Sequence, residues 1–111
     1  MANFYKSETF NLTTTNLTTV LTINTSSVAI VKAVQASHAT ASNVDVDLFL
    51  KKFGGSDVEI SHAQLNNSSI NLVKDIINLE EGDILKAKAG TANEISGQVS
   101  YLLIDRSQEN G

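Results

Sequence analysis

Apolar and polar residues alternate along most of this chain, and a period of two puts successive side chains on opposite faces of extended backbone. The pattern is clearest over residues 44–51, where Val44, Val46, Leu48 and Leu50 form one face and Asp45, Asp47, Phe49 and Lys51 the other. It predicts a strand with its aliphatic row inward. Leu17, Thr19, Leu21 and Ile23 alternate with Thr18, Val20, Thr22 and Asn24 to give another. Over residues 28–37 the parity is ambiguous, because Val28, Ile30 and Val34 compete with Ala29, Val31 and Ala33. Burial on both faces, as in a central strand, accounts for such a run. After Gly54-Gly55, a pair that supplies the positive φ of a tight hairpin turn, Val58 and Ile60 alternate with Glu59 and Ser61. Leu85, Ala87 and Ala89 face inward against Lys86 and Lys88, and a last strand covers residues 95–104.

Two segments are less regular. Over residues 70–79 a strand is expected, but Leu72, Val73, Ile76 and Ile77 also fit one helical face with Ser68 or Ser69 as N-cap, so a short helix stays open. Residues 1–16 mix Phe4, Tyr5, Phe10 and Leu12 with the run Thr13-Thr14-Thr15-Asn16, and are expected to form an arm ordered by a partner surface. The expected organisation is therefore an arm at 1–16, a β-sandwich domain at 17–105 and a polar tail at 106–111. The fold expected is all-β, a single antiparallel β-sandwich or jelly roll of about seven to eight strands separated by turns.

The final strand breaks its own alternation. Ile95, Gly97, Val99, Tyr101 and Leu103 share one face, while the other changes from Ser96, Gln98 and Ser100 to Leu102 and Ile104. Two adjacent aliphatics facing away from the core need cover, which we expect from a neighbouring subunit. The candidate protein-interface residues are thus Phe4, Phe10 and Leu12 on the arm with Leu102 and Ile104 on the last strand.

At 111 residues the chain can bury one core but not a core and a separate catalytic lobe. Thr, Ser and Asn supply 33 of those residues, a composition that favours strands and turns over helices. The chain has no Cys, which excludes disulfides, thiolate metal sites and a cysteine nucleophile, and no Pro, which removes one usual guard of strand edges. A net charge of -4 with dispersed Lys and Arg argues against nucleic-acid binding. No run approaches the roughly 18 apolar residues of a membrane span, and no signal segment precedes the domain, so no membrane partner and synthesis in a cytoplasm are expected.

Candidate chemistry is sparse. Asp45 and Asp47 share a strand face and could begin a Ca²⁺ site, but six to eight oxygens are needed and a solvated face explains the pair better. His38 and His62 lack His or Glu partners at metal spacing and are expected to be loop or surface residues. No Gly-x-Ser-x-Gly elbow or phosphate-cradling loop occurs, and the Asn-x-Ser/Thr matches beginning at Asn11, Asn16, Asn24, Asn66 and Asn67 are taken as chance in an Asn-rich chain. No catalytic residue, cofactor or metal is expected. A carbohydrate-binding or adhesion module is the alternative from another class, weighed against six aromatics and no Trp.

Four strings carry a resemblance: residues 12–20 (Leu-Thr-Thr-Thr-Asn-Leu-Thr-Thr-Val), Val31-Lys32-Ala33-Val34, Leu79-Glu80-Glu81-Gly82-Asp83 and Val99-Ser100-Tyr101-Leu102. With the strand arrangement, they resemble the small β-sandwich structural proteins of tailed bacteriophage virions. That resemblance implies a non-enzymatic, repeated subunit that decorates or cements the capsid or joins head, neck or tail components. Its implied partners are other virion proteins and further copies of itself, and its implied location is the virion after synthesis in the host bacterial cytoplasm.

Overall fold

In the computed structural model, which describes residues 2–105, the alternating segments become nine β-strands in two antiparallel sheets packed face to face. They are β1 Ala2–Leu12, β2 Thr18–Thr22, β3 Ser27–His38, β4 Val44–Lys51, β5 Asp57–Leu65, β6 Ser68–Asn71, β7 Ile77–Leu79, β8 Ile84–Ala89 and β9 Ile95–Asp105. One sheet has the order β1-β9-β3-β6, with β7 beside β6 on the same edge of β3; the other has the order β2-β8-β4-β5. The fold is the expected β-sandwich. The tail assigned to 106–111 lies outside the described residues.

The expected arm is corrected. Residues 2–12 form β1, which pairs with β9 without a register shift from Ala2 opposite Asp105 to Leu12 opposite Ile95. Phe10 and Leu12, expected at an interface, are core residues at 8% and 0% exposure. Alternation hid the strand because Phe4, Lys6 and Glu8 continue the parity of Phe10 and Leu12 yet remain exposed. The molecule measures 52 × 26 × 22 Å, and an eleven-residue strand spans roughly 37 Å, so β1 runs on where the shorter opposing strands do not cover it.

One-residue bulges explain the other departures from strict period two. On β2 the extra residue is Val20, so Val20 and Leu21 are both buried. On β3 it is Lys32, and the buried set changes there from Ala29 and Val31 to Val34, Ala36 and His38. The ambiguous parity of that segment is thus one strand with a phase change, not burial on both faces.

The contested segment is broken extended chain, with no helix among the described residues. Asn71 explains the break: its side-chain Oδ1 accepts hydrogen bonds from the Val34 amide at 3.0 Å and the Val73 amide at 3.1 Å. The side chain stands in for a strand carbonyl while Leu72 and Val73 drop into the core, which a helix over these residues would prevent. At the β4–β5 connection only Gly54 has positive φ (77°), with the Gly55 amide bonded to the Lys52 carbonyl at 2.8 Å. This is a type II arrangement inside a five-residue loop rather than a primed two-residue hairpin. On β9, Gly97 is required by packing, since an added Cβ would lie 2.2 Å from the Gln35 carbonyl oxygen and 2.5 Å from the Phe10 ring.

Because β1 belongs to the sandwich, Leu12→Ala is expected to cost about 2–5 kcal/mol, the range for truncating a fully buried leucine. Removing residues 1–12 is expected to abolish the cooperative melt followed by circular dichroism. A truncated chain that melted like the intact one would show that β1 is dispensable.

Candidate functional site

Three polar constellations lock the irregular parts of the sandwich, while exposed apolar side chains are spread over β1 (Phe4, Tyr5), the β4–β5 loop (Phe53), β5 (Val58, Ile60) and the segment before β7 (Ile76). In the turn before β8, the carboxylate of Asp83, 1% exposed, accepts from the Glu80 amide at 2.8 Å, the Phe53 amide at 3.1 Å and Lys52 Nζ. It therefore ties the Leu79–Asp83 turn to the β4–β5 loop. Gly82, at φ 81°, sits flat under the Phe53 ring, where a Cβ would come within 2.5 Å. Burial pushes the Asp83 carboxyl up, but the hydrogen bonds from Lys52 and the two amides outweigh it and hold its pKa below the ordinary value. The same hydrogen bond, with a second to Glu80, raises the Lys52 pKa.

His38 corrects the expectation of a loop or surface histidine. Its ring is 2% exposed and spans two loops, with Nδ1 3.2 Å from the Glu94 carbonyl and Nε2 2.8 Å from the Ser42 carbonyl. It pins the connections before β4 and β9, with each ring nitrogen facing a backbone carbonyl.

His62 has partners that sequence spacing concealed. Ile60 is an extra residue of β5 opposite the Leu48–Phe49 step, so Glu59 and His62, three apart, come to one face with Asp47. His62 Nδ1 bonds Asp47 Oδ1, and one ligand atom from each of Asp47, Glu59 and His62 lies within 4.8 Å of the others. One imidazole and two carboxylates form a donor set suited to Zn²⁺ more than to Ca²⁺, which needs more oxygens. Asp45 lies outside this group, its carboxylate accepting from Gln64 Nε2 at 3.2 Å. The hydrogen bond that His62 donates to Asp47, together with the charge of that carboxylate, raises the His62 pKa, and the same carboxylate raises that of Glu59.

Leu102 and Ile104 lie on the outer face of the larger sheet, both half-buried. Leu102 stands between Tyr5 and Ile30, and Ile104 between Asn3 and Val28, so a small apolar field spans three strands. Tyr5, 78% exposed, carries Lys32 Nζ 4.7 Å from its ring centroid. Phe4, 45% exposed, points to the opposite face of β1. The exposed aromatics of β1 therefore do not form one stacking platform for a sugar.

No family model matches the chain, and no curated protein matches it in sequence. The fold does match solved structures. A chain in the acid-stable capsid structure of Helicobacter pylori bacteriophage KHP30 superposes with a TM-score of 0.59 at 12% identity, covering 96% of this chain and 90% of that one. A chain of the Bacillus endospore appendages, described as a novel family of disulfide-linked pili, superposes with a TM-score of 0.56 at 10% identity, covering 92% and 84%. At these identities the likeness shows the fold alone: a small all-β sandwich of a kind found in a phage capsid and in spore pili.

Asp83→Asn would turn an amide NH₂ toward a backbone N–H donor, and is expected to lower stability by about 1.5–3 kcal/mol in denaturant melts. Since the folded-state pKa of Asp83 is depressed, its contribution is present above the ordinary carboxylate pKa and lost as pH falls through the depressed value. The Asn variant should therefore show a flatter acid limb. The raised His62 pKa has the opposite sign, favouring the fold below the ordinary histidine pKa and fading as pH rises through the raised one. Asp47→Asn is expected to return the NMR titration midpoint of His62 toward the ordinary value; an unchanged midpoint would refute the pairing.

Proposed function

We propose that this protein is a non-enzymatic structural subunit of a tailed bacteriophage virion, present in repeated copies that decorate or cement the capsid or join head, neck or tail components. The observation that carries the reading is the near end-to-end correspondence with a chain of a phage capsid structure, at 96% of one chain and 90% of the other. Neither domain carries a large added lobe relative to the other. The strand order agrees with the same reading. A four-stranded path β1-β9-β3-β6 over β2-β8-β4-β5, with β7 continuing the β6 edge, is the wiring of a jelly roll, an architecture common in viral capsid domains.

In this reading the partners are other virion proteins and further copies of the chain, and the working location is the virion. The proposed contact surface is the outer apolar field at Leu102 and Ile104, together with Phe4 at the uncovered end of β1. Half-buried aliphatics on a sheet face gain when a neighbour excludes water from them, and isolated exposure would leave that gain unused.

Mass spectrometry of purified particles of the phage encoding this chain is expected to detect it at a stoichiometry set by capsid or tail symmetry. Leu102→Asp, which adds a charge on the outer face, should keep the wild-type melt while reducing incorporation. Val99→Asp, which buries an unpaired carboxylate in the core, should unfold the domain. Particles that lack the protein altogether, or incorporate Leu102→Asp fully, would overturn the reading or its contact surface respectively.

A further inference from the structure

The two sheets have four outer edges, and three are protected. The β2 edge is five residues long and bulged at Val20. The β5 edge is bulged at Ile60 and carries Asp57 and Glu59. The remaining edge of β3 is occupied by two fragments of four and three residues, β6 and β7. Short length, bulges and charge are the devices that keep strand edges from pairing with other chains. The fourth edge has none of the first two: β1 is eleven residues long, runs without a register shift, and among the described residues is terminal in its sheet. The chain has no Pro to interrupt it.

We propose that this free edge pairs with the same edge of a second copy, antiparallel about a two-fold axis at Ser7, so that one continuous sheet runs through both molecules. The occupant and the register follow from charge. Lys6 and Glu8 flank Ser7, and both are exposed. A two-fold axis perpendicular to the sheet keeps like faces together and, when it passes through Ser7, sets Lys6 opposite Glu8 twice. Directly opposed unlike charges stabilise a strand pair and like charges destabilise it. Moving the axis to Lys6 would oppose the two lysines, and moving it to Glu8 would oppose the two glutamates. The chosen register also sets Tyr5 opposite Thr9, an aromatic and a β-branched residue across the strands. Glu8 is already held in place, accepting a hydrogen bond from Tyr101 Oη at 3.3 Å, while Lys6 Nζ lies 5.8 Å from the centroid of the Phe4 ring. Isologous contacts of this kind are self-complementary by construction.

The pairing deepens the assembly reading, but its test needs only the purified chain. In a protein without cysteine, Ser7→Cys puts two thiols across the axis, with Cα atoms roughly 4.5–5.5 Å apart, inside the window for a disulfide. Thr9→Cys, on the same face, puts them four residues apart along the strands, roughly 13 Å. Mild oxidation should convert Ser7→Cys to a covalent dimer and leave Thr9→Cys monomeric. By sedimentation, wild type should form a dimer that Lys6→Glu or Glu8→Lys each weakens about tenfold, because each single reversal creates two like-charge pairs. The double reversal, which restores both pairs in the opposite sense, should recover the dimer even though it loses the Glu8–Tyr101 bond. A wild type that stays monomeric overturns the proposal. So does equal crosslinking of the two cysteine variants, or a double reversal no tighter than the singles. A dimer that forms as described while the chain is missing from particles would leave the pairing standing and remove the virion reading.

Discussion

The last strand of the chain lies between the first and the third, and the larger sheet exists only once it is there. β9 gives one edge to β1 over eleven residues and the other to β3 over nearly its whole length. Every buried backbone N–H and C=O must find a partner, so neither β1 nor β3 has a satisfied inner edge until β9 arrives. The tight fit at Gly97, with the Gln35 carbonyl on one side and the Phe10 ring on the other, marks where the three strands meet. Such non-local closure makes folding slow relative to a local hairpin design, because the loop entropy is lost before the contacts form.

Around that spine, single polar side chains do the work that disulfides and prolines do in other small β domains. Asp83 joins two loops at one end, and Asn71 replaces a missing strand carbonyl on the β3 edge. His38 fixes the connections at the other end. Each satisfies backbone groups that a turn would otherwise leave buried and unpaired, where the cost is roughly 1–3 kcal/mol apiece. The abundance of Asn, Ser and Thr fits this role, since short polar side chains bond to nearby backbone.

The two outer faces differ in character. The β4–β5 face is charged, and its bulge gathers Asp47, Glu59 and His62 in one exposed group. The β1-β9-β3 face carries the apolar field around Leu102, and its border is the long β1 edge. The division is one of outer faces only, since the most exposed aliphatics, Val58 on β5 and Ile76 before β7, belong to neither the charged group nor the apolar field.

Period-two alternation alone determined that the protein is all-β, and it located β4, β8 and β9 with their inward rows, because those strands run without an inserted residue of their own. It also turned Leu102 and Ile104 away from the core, through the same parity that buries Val99 and Tyr101. Only the tertiary structure decided where the parity slips. The insertions at Val20, Lys32 and Ile60 depend on how two sheets curve over each other, and one of them makes neighbours of Glu59 and His62. The status of β1 was also a tertiary matter: Lys6 and Glu8 occupy inward-parity positions that are tolerable only because the opposing sheet does not cover them. A pattern of side chains reports which face is buried; it carries no information about which strand lies alongside, or about an edge that none covers.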